Sequence, residues 1–304
     1  MRGLIVGAVE GTRVAARKIA SATDWTLAGI MTLPPEKAGR HSDYVDLSDV
    51  ARETGARLIH AQDSNSDDAC TALAECAPDF TFVIGWSQIC RPNFRAAARD
   101  RVIGYHPAPL PRLRGRAALP WTILLDEKIS GSTLFWIDDG VDSGDILAQQ
   151  FFHVAPRETA ASLYAKHMDA LEGILDMALS SLAAGEEPRT KQDDTFATYA
   201  AKRTPADGLI DWNWSADRID RLVRAVGRPY PGAFTTFKDR TITIFGSNIS
   251  AIPNLHAMPG QIVARASDEF AVMCGDGRVL TVTDFTISED QPLPLQHAVL
   301  GRST

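Results

Sequence analysis

The sequence predicts an α/β protein built on a mostly parallel sheet with helices on both faces, followed by a small β-barrel domain. Three observations predict it. Short β-rich runs alternate with helical stretches through residues 1–150, with short connections between them, as a parallel sheet covered by its own crossovers requires. One run, Asp79-Phe-Thr-Phe-Val-Ile-Gly85, is apolar almost without a break, as in a strand buried on both faces. Beyond residue 190 the pattern changes to short strand-like runs separated by turn signals.

In chain order, strands are expected at Leu4–Ala8, Trp25–Thr32, Arg57–His60, Phe80–Gly85, Val102–Tyr105 and Ser132–Ile137, with helices at Thr12–Ser21, Val45–Thr54 and Asp67–Cys76. Gly7-Ala-Val-Glu-Gly11 lacks the G-x-G-x-x-G pattern and an acidic ribose partner, so close packing of the first helix on the sheet is the expected reason for these glycines. Residues 158–184 read as one long helix, with Leu163, His167, Leu171, Ile174, Leu175, Ala178 and Leu182 at three-and-four spacing and Gly185 as its stop. The polar run Gly185–Asp194, with one proline and four acidic residues, reads as a linker. It divides the chain into domains 1–188 and 189–304. In the second, Asp217–Val226 is a short amphipathic helix. Five strands follow at Ala233–Phe237, Thr241–Phe245, Gln261–Ala264, Phe270–Cys274 and Val279–Thr286, the pattern of a small barrel of the OB kind.

Composition narrows the function classes. The chain has 304 residues, 45% apolar and 23% charged, with 31 Lys+Arg against 38 Asp+Glu. That composition excludes wholesale disorder and carries no overall basic signal for nucleic acid. No stretch reaches the roughly 18–20 apolar residues of a membrane span, and the N-terminal run is too short for a signal peptide. Cys70, Cys76, Cys90 and Cys274 show neither C-x-x-C spacing nor an even ladder, so buried free thiols are expected. A soluble, cytoplasmic protein is the expectation.

Two segments carry chemistry. In Gly104-Tyr-His106-Pro-Ala-Pro-Leu-Pro111-Arg-Leu-Arg114-Gly-Arg116 a strand runs into three prolines within five positions, which forbid both helix and ladder and stiffen the loop. A histidine at the carboxyl end of a central strand points at the crevice where open α/β sheets bind ligands, and it exchanges protons near neutral pH. The second segment, Asp138-Asp139-Gly140-Val141-Asp142-Ser-Gly144-Asp145, places four carboxylates in eight residues. Three readings stand for it: a solvated turn, a cation loop without the EF-hand pattern, or a carboxylate that orients a nearby imidazole.

Together these segments resemble the 10-formyltetrahydrofolate-dependent formyltransferases, whose signature runs N-x-H-x-S-L-L-P-x-x-R-G and then D-x-G-x-D-x-G-D-I. Lys202-Arg-Thr-Pro205-Ala-Asp207-Gly-Leu-Ile-Asp211-Trp212 and Arg224-Ala-Val-Gly-Arg-Pro229-Tyr-Pro231-Gly232 are similar to the opening of that family's C-terminal domain, so the resemblance spans nearly the whole chain. It implies a Rossmann-like catalytic domain with N10-formyltetrahydrofolate as cosubstrate in a cleft at the strand ends, no metal, and an OB-like domain behind it. Of the family's Asn–His–Asp trio, His106 and Asp142 match. The asparagine position holds Gly104. His106 is expected to handle the proton and part of the oxyanion contact, and Asp142 to orient the imidazole. Losing the asparagine donor typically costs about 3–4 kcal/mol; Gln88, Ser87 or a backbone N–H near His106 are the candidate replacements. The loops Trp86-Ser87-Gln88-Ile89 and Asp138–Asp142 (Asp138, Asp139, Gly140, Val141, Asp142) are expected to hold the pterin through backbone groups. Arg114, Gly115 and Arg116 are expected to place an anionic substrate, the alternative for the arginines being salt bridges; Trp121 is expected to open a helix and pack in the core.

Arg114-Gly-Arg116-Ala-Ala-Leu-Pro-Trp121 resembles the version of the motif in sugar-modifying members, which implies a nucleotide-linked amino sugar as acceptor. Three alternatives remain open: methionyl-tRNA, another small amine such as hydroxyornithine, and a non-catalytic folate- or nucleotide-binding protein marked by Gly104. Residues 191–304 carry 12 Lys+Arg against 13 Asp+Glu, so nucleic acid is not the expected partner. No membrane partner is expected, and a homodimer is allowed for.

Overall fold

The computed structural model describes residues 1–40, 43–288 and 292–302. Two compact units result, the first made of Met1–Ala118, Ile129–His153 and Tyr164–Ala201, the second of Leu119–Lys128, Val154–Leu163 and Lys202–Thr304. In the first unit β1 (Arg2–Val6), α1 (Glu10–Ser21), β2 (Thr26–Thr32), α2 (Ser48–Thr54), β3 (Arg57–His60), α3 (Asp67–Glu75), β4 (Phe80–Val83), α4 (Pro92–Ala97) and β5 (Val102–His106) alternate. Next along the chain come β6 (Arg114–Gly115), α5 (Ala118–Leu124, in the second unit from Leu119 on), β7 (Ile129–Trp136), β8 (Ile146–His153), α6 (Ala160–Ala183, in the first unit from Tyr164 on) and β9 (Tyr199–Ala200). The seven-stranded sheet has the order β3-β2-β1-β4-β5-β7-β8. Its first five strands run parallel, and the chain order reverses beside β1, where α/β sheets open a ligand crevice.

Strand alternation sorts the core into two layers. Ile5, Phe82, Ile103 and Leu134 point to the face covered by α1, α2 and the Leu171–Leu182 stripe of α6. Leu4, Val6, Val83 and Val102 point to the other face, under α3 and Phe94 of α4. Close approach at the first turn explains Gly7: a Cβ there would lie 1.9 Å from the Ile84 carbonyl oxygen and 2.3 Å from Thr12 Oγ1.

Several elements differ from the sequence pattern for identifiable reasons. β7 runs antiparallel to β5, and β8 adds an unforeseen antiparallel edge. This edge strand interrupts its apolar residues with Gln149, Gln150 and His153 at half-buried or exposed positions, as an antiparallel edge allows. Helix α2 starts at Ser48, later than Val45, because the Asp46 carboxylate accepts from the Ser48 N–H (2.9 Å) and hydroxyl (2.6 Å), closing a turn that delays the helix. The polar run after α6 is anchored rather than loose. Trp136 Nε1 donates to the Pro188 carbonyl (2.9 Å), Thr190 bridges Ile146, and the Arg189 guanidinium lies 3.9 Å over the Trp136 ring.

In the second unit α7 (Ala216–Val226) buries Ile219, Leu222, Val223 and Val226. The strands β10 (Ala233–Phe237), β11 (Arg240–Ser250), β12 (Ile262–Arg265), β13 (Phe270–Met273) and β14 (Val279–Ile287) form an antiparallel sheet in the order β10-β11-β14-β13-β12. This is the small OB-like domain. Register shifts around Gly246 let β11 continue along β14 to Ser250, well past the expected end at Phe245. Cys76, Cys90 and Cys274 are buried free thiols and Cys70 is half-buried; burial pushes the Cys90 and Cys274 thiols up to about 12, so they stay protonated and inert. Among the described residues no helix is long and apolar enough to cross a membrane.

Candidate active site

Strand β5 ends on His106, which shares a sheet face with Gly104 two residues before it. The imidazole is 6% exposed. Its Nε2–H donates to the Leu113 carbonyl at 2.7 Å, because a carbonyl can only accept. That bond fixes the tautomer and leaves Nδ1 as the ring atom able to gain or lose a proton. Nδ1 faces Asp142 Oδ2 at 3.5 Å, an electrostatic contact longer than a hydrogen bond. The same carboxylate oxygen accepts from the Gly115 N–H at 2.8 Å. Both partners of the imidazole sit on left-handed backbone, Leu113 at φ 56 and Asp142 at φ 51. Such conformations cost of order 1–3 kcal/mol each and persist only where surroundings over-determine them.

Gly104 is shaped by its neighbour across the ladder, Phe135. A Cβ at position 104 would lie 2.7 Å from Phe135 Cζ and 3.1 Å from Ile137 Cγ1. The volume that an asparagine would need is therefore filled by an aromatic ring. Gln88 is held by the loop before α3. Its Nε2 donates to the Gln62 carbonyl at 2.8 Å, and its Oε1 accepts from the Ser64 N–H at 3.0 Å. Ser87 is exposed in the same loop.

The acidic segment is a hydrogen-bonded turn. Asp138 Oδ1 accepts from the Gly140 N–H and the Ser143 hydroxyl, both at 3.0 Å. Asp139 pairs with Arg95 of α4, which ties this turn to the helix that follows the Trp86–Ile89 loop. Trp86 Nε1 donates to Ser64 Oγ at 3.0 Å. Two large apolar side chains, Ile89 (70% exposed) and Val141 (51%), stand out into solvent from these two loops. A cavity of about 980 Å³ opens where β3 and β4 end, lined by His60, Gln62, Asp63, Gln88, Ile89 and Arg91. Its lining does not include His106 or Asp142.

The two arginines of the loop part ways. Arg116 is exposed. Arg114 is 2% exposed, its guanidinium committed to Gln192 Oε1 (2.8 and 3.1 Å), Asp194 Oδ1 (2.8 Å) and the Tyr199 hydroxyl (3.2 Å). Its cation is turned inward, away from any anion in solvent. Trp121 lies in the second unit, half-buried, with Arg203 5.3 Å over its ring. Sequence reasoning passed over Leu113, Phe135 and Gln192. Leu113 acts through a backbone carbonyl and Phe135 through cross-strand register, neither of which leaves a compositional signal. Gln192 sits in a run whose polarity reads as solvent-facing.

A model of the formyl transferase family matches residues 14–179, and a model of the formyl transferase C-terminal domain matches residues 202–302. A methionyl-tRNA formyltransferase from Akkermansia muciniphila is 31% identical over 281 residues, covering 90% of this chain and 89% of that protein. Among solved structures, WlaRD, a sugar 3N-formyl transferase crystallised with dTDP and 5-N-formyl-THF, aligns with a TM-score of 0.69 at 18% identity over 93% of this chain and 97% of that one. HypX from Aquifex aeolicus in complex with tetrahydrofolic acid aligns with a TM-score of 0.66 at 18% identity, over 98% of this chain and 46% of that one, so this chain spans under half its length. At these identities the two structures show a shared fold.

Proposed function

From the premise that this chain belongs to the formyl transferase family, we propose that it moves a formyl group from N10-formyltetrahydrofolate to the amino group of a nucleotide-linked amino sugar. The observation that carries the transfer chemistry is the fixed imidazole, with Nε2–H held by Leu113 and Nδ1 turned to Asp142. In transfer, the amine nitrogen bonds to the formyl carbon, the bond from that carbon to the folate nitrogen breaks, and one proton moves from amine to folate nitrogen. His106 Nδ1 takes that proton and returns it. While it holds the proton, Asp142 stabilises the imidazolium, and the Gly115 N–H keeps the carboxylate in place. With no side chain at position 104, the protonated imidazole also serves as a donor to the growing negative charge on the formyl oxygen. Catalysis then runs without one donor, a loss on the order of 10²–10³ in rate where that donor is missing.

The cosubstrate fits the residues present. Formyltetrahydrofolate supplies an activated one-carbon unit on a flat heterocycle. The irregular backbone of Trp86–Ile89 and the Asp138–Asp142 turn offer hydrogen-bonding groups to such a ring, and the exposed Ile89 and Val141 side chains offer apolar faces. Arg116, exposed in the loop after His106, is a cation suited to a diphosphate. A sugar nucleotide is favoured over tRNA by the near-balanced charge of residues 191–304 and by the resemblance of Arg114–Trp121 to the sugar-modifying version of the motif. The second reading, methionyl-tRNA as acceptor, rests on the 31% identical relative.

Tetrahydrofolate release decides between them. The full-length protein is given N10-formyltetrahydrofolate with a panel of nucleotide amino sugars or with methionyl-tRNA. Turnover with a sugar nucleotide is the expected result. Turnover with the tRNA and with no sugar would establish the second reading instead.

A further inference from the structure

Gln192 lies in the polar run after α6, yet it is 5% exposed and makes a hydrogen bond with every part of its amide. Its Nε2 donates to the Asp142 carbonyl (2.9 Å) and to the Gly144 carbonyl (2.7 Å). Its Oε1 accepts from Nε and Nη2 of buried Arg114. Only a side-chain amide can do this, because the site demands two donors on one side and an acceptor on the other. A carboxylate cannot donate to the two carbonyls, and a lysine cannot accept from the guanidinium.

What the amide grips is the turn that carries Asp142. That residue occupies left-handed backbone at φ 51, a conformation with little local preference, so an external hold decides where its carboxylate points. Two holds are present. The Gly115 N–H fixes Oδ2, and Gln192 fixes the main-chain carbonyl of the same residue. Arg114 closes the ring, being the neighbour of Gly115 in β6 and the partner of Gln192. The clamp therefore links the loop that follows His106 to the loop that faces it.

We propose that Gln192, gripped by Arg114, is a positioning residue for formyl transfer: it holds the Asp142 turn so that the carboxylate stays on His106 Nδ1. The proposal rests on the formyl-transfer reading, and its test separates the two. In the full-length variant Gln192→Met, which keeps length and neutrality but has no N–H to give, amide hydrogen exchange is followed at three consecutive residues. The Arg114 and Arg116 amides donate to the Thr198 and Ala200 carbonyls, while the Gly115 amide donates to Asp142. The Gly115 amide is expected to exchange about tenfold faster or more, with Arg114 and Arg116 unchanged. In the transfer assay kcat is expected to fall about 10–100-fold, while KM for N10-formyltetrahydrofolate stays within about twofold, as for a misplaced group that does not bind substrate. Unchanged exchange at Gly115 would overturn the proposal. So would loss of protection at all three amides together, which marks a merely structural glutamine, or altered exchange with an unaltered kcat. Should wild type transfer formyl to no amine, the functional reading fails and the exchange result still decides whether Gln192 holds Asp142. Should Gln192→Met not fold, Gln192→Glu keeps the Arg114 pairing, lacks the same N–H groups and is read by the same criteria.

Discussion

At His106 the tautomer is set by a hydrogen bond to the backbone. The Leu113 carbonyl holds Nε2–H, and Nδ1 is left facing Asp142. His106→Gln removes the proton-exchanging ring and is expected to lower kcat about 10²–10⁴-fold, read by stopped-time formylation with the thermal midpoint as the folding control. Asp142→Asn keeps the shape and removes the charge, and a loss of about 10²-fold is expected in the same assay. A near-wild-type rate for either would remove it from the proton path. Gly104 supplies the third residue-scale test. Because Phe135 fills the space of a side chain there, Gly104→Asn alone is expected to destabilise by about 1–3 kcal/mol through overpacking. Adding Phe135→Ala should relieve the clash, giving a non-additive double-mutant cycle in urea unfolding. Strict additivity would show that the two side chains do not compete.

Elements carry the second kind of prediction. On the sheet face opposite Gly104 and His106, β7 and α6 meet through Ser132 Oγ and His167 Nδ1 at 2.9 Å, with the Tyr105 hydroxyl 3.0 Å from Ser132. Burial, and secondarily the charge of His106, push His167 down to about 3. The unfolded chain binds this proton near pH 6.5, whereas the folded one refuses it until far lower pH. Stability from the neutral His167 is therefore fully present above about pH 6.5 and is lost as pH falls toward 3, by at most about 1.4 kcal/mol per pH unit. Urea midpoints measured at pH 7 and pH 5 should differ accordingly, and His167→Gln should flatten the slope. An equal slope in the variant would place the acid sensitivity elsewhere.

On the scale of the whole molecule, charge is the discriminating property. The chain carries a net −7, and binding a folded RNA demands several phosphate contacts with steep salt dependence. Initiator tRNA is therefore expected to show no gel shift at about 150 mM salt. A shift that persists there would mean that a local patch overrides the total, and would favour the tRNA reading.

Much of this protein was legible in its residues because local rules and tertiary packing agree. An unbroken apolar run has to be a doubly buried strand, and three prolines have to end β5. Hence the parallel half of the sheet, the five-stranded second unit and the two segments carrying His106 and Asp142 could be read directly. Tertiary structure alone decided what depends on partners distant in sequence. β8 is half-exposed at an edge, and Gln149-Gln150 interrupts its apolar run. Gln192 sits among acidic neighbours yet is buried by Arg114 and two carbonyls, and Arg114 is turned inward by partners some eighty residues away. Whether Gly104 leaves a gap or meets a ring is a matter of register with Phe135. A hydrogen bond or a cross-strand contact is specific to atoms brought together by the fold, and composition along the chain holds no record of it.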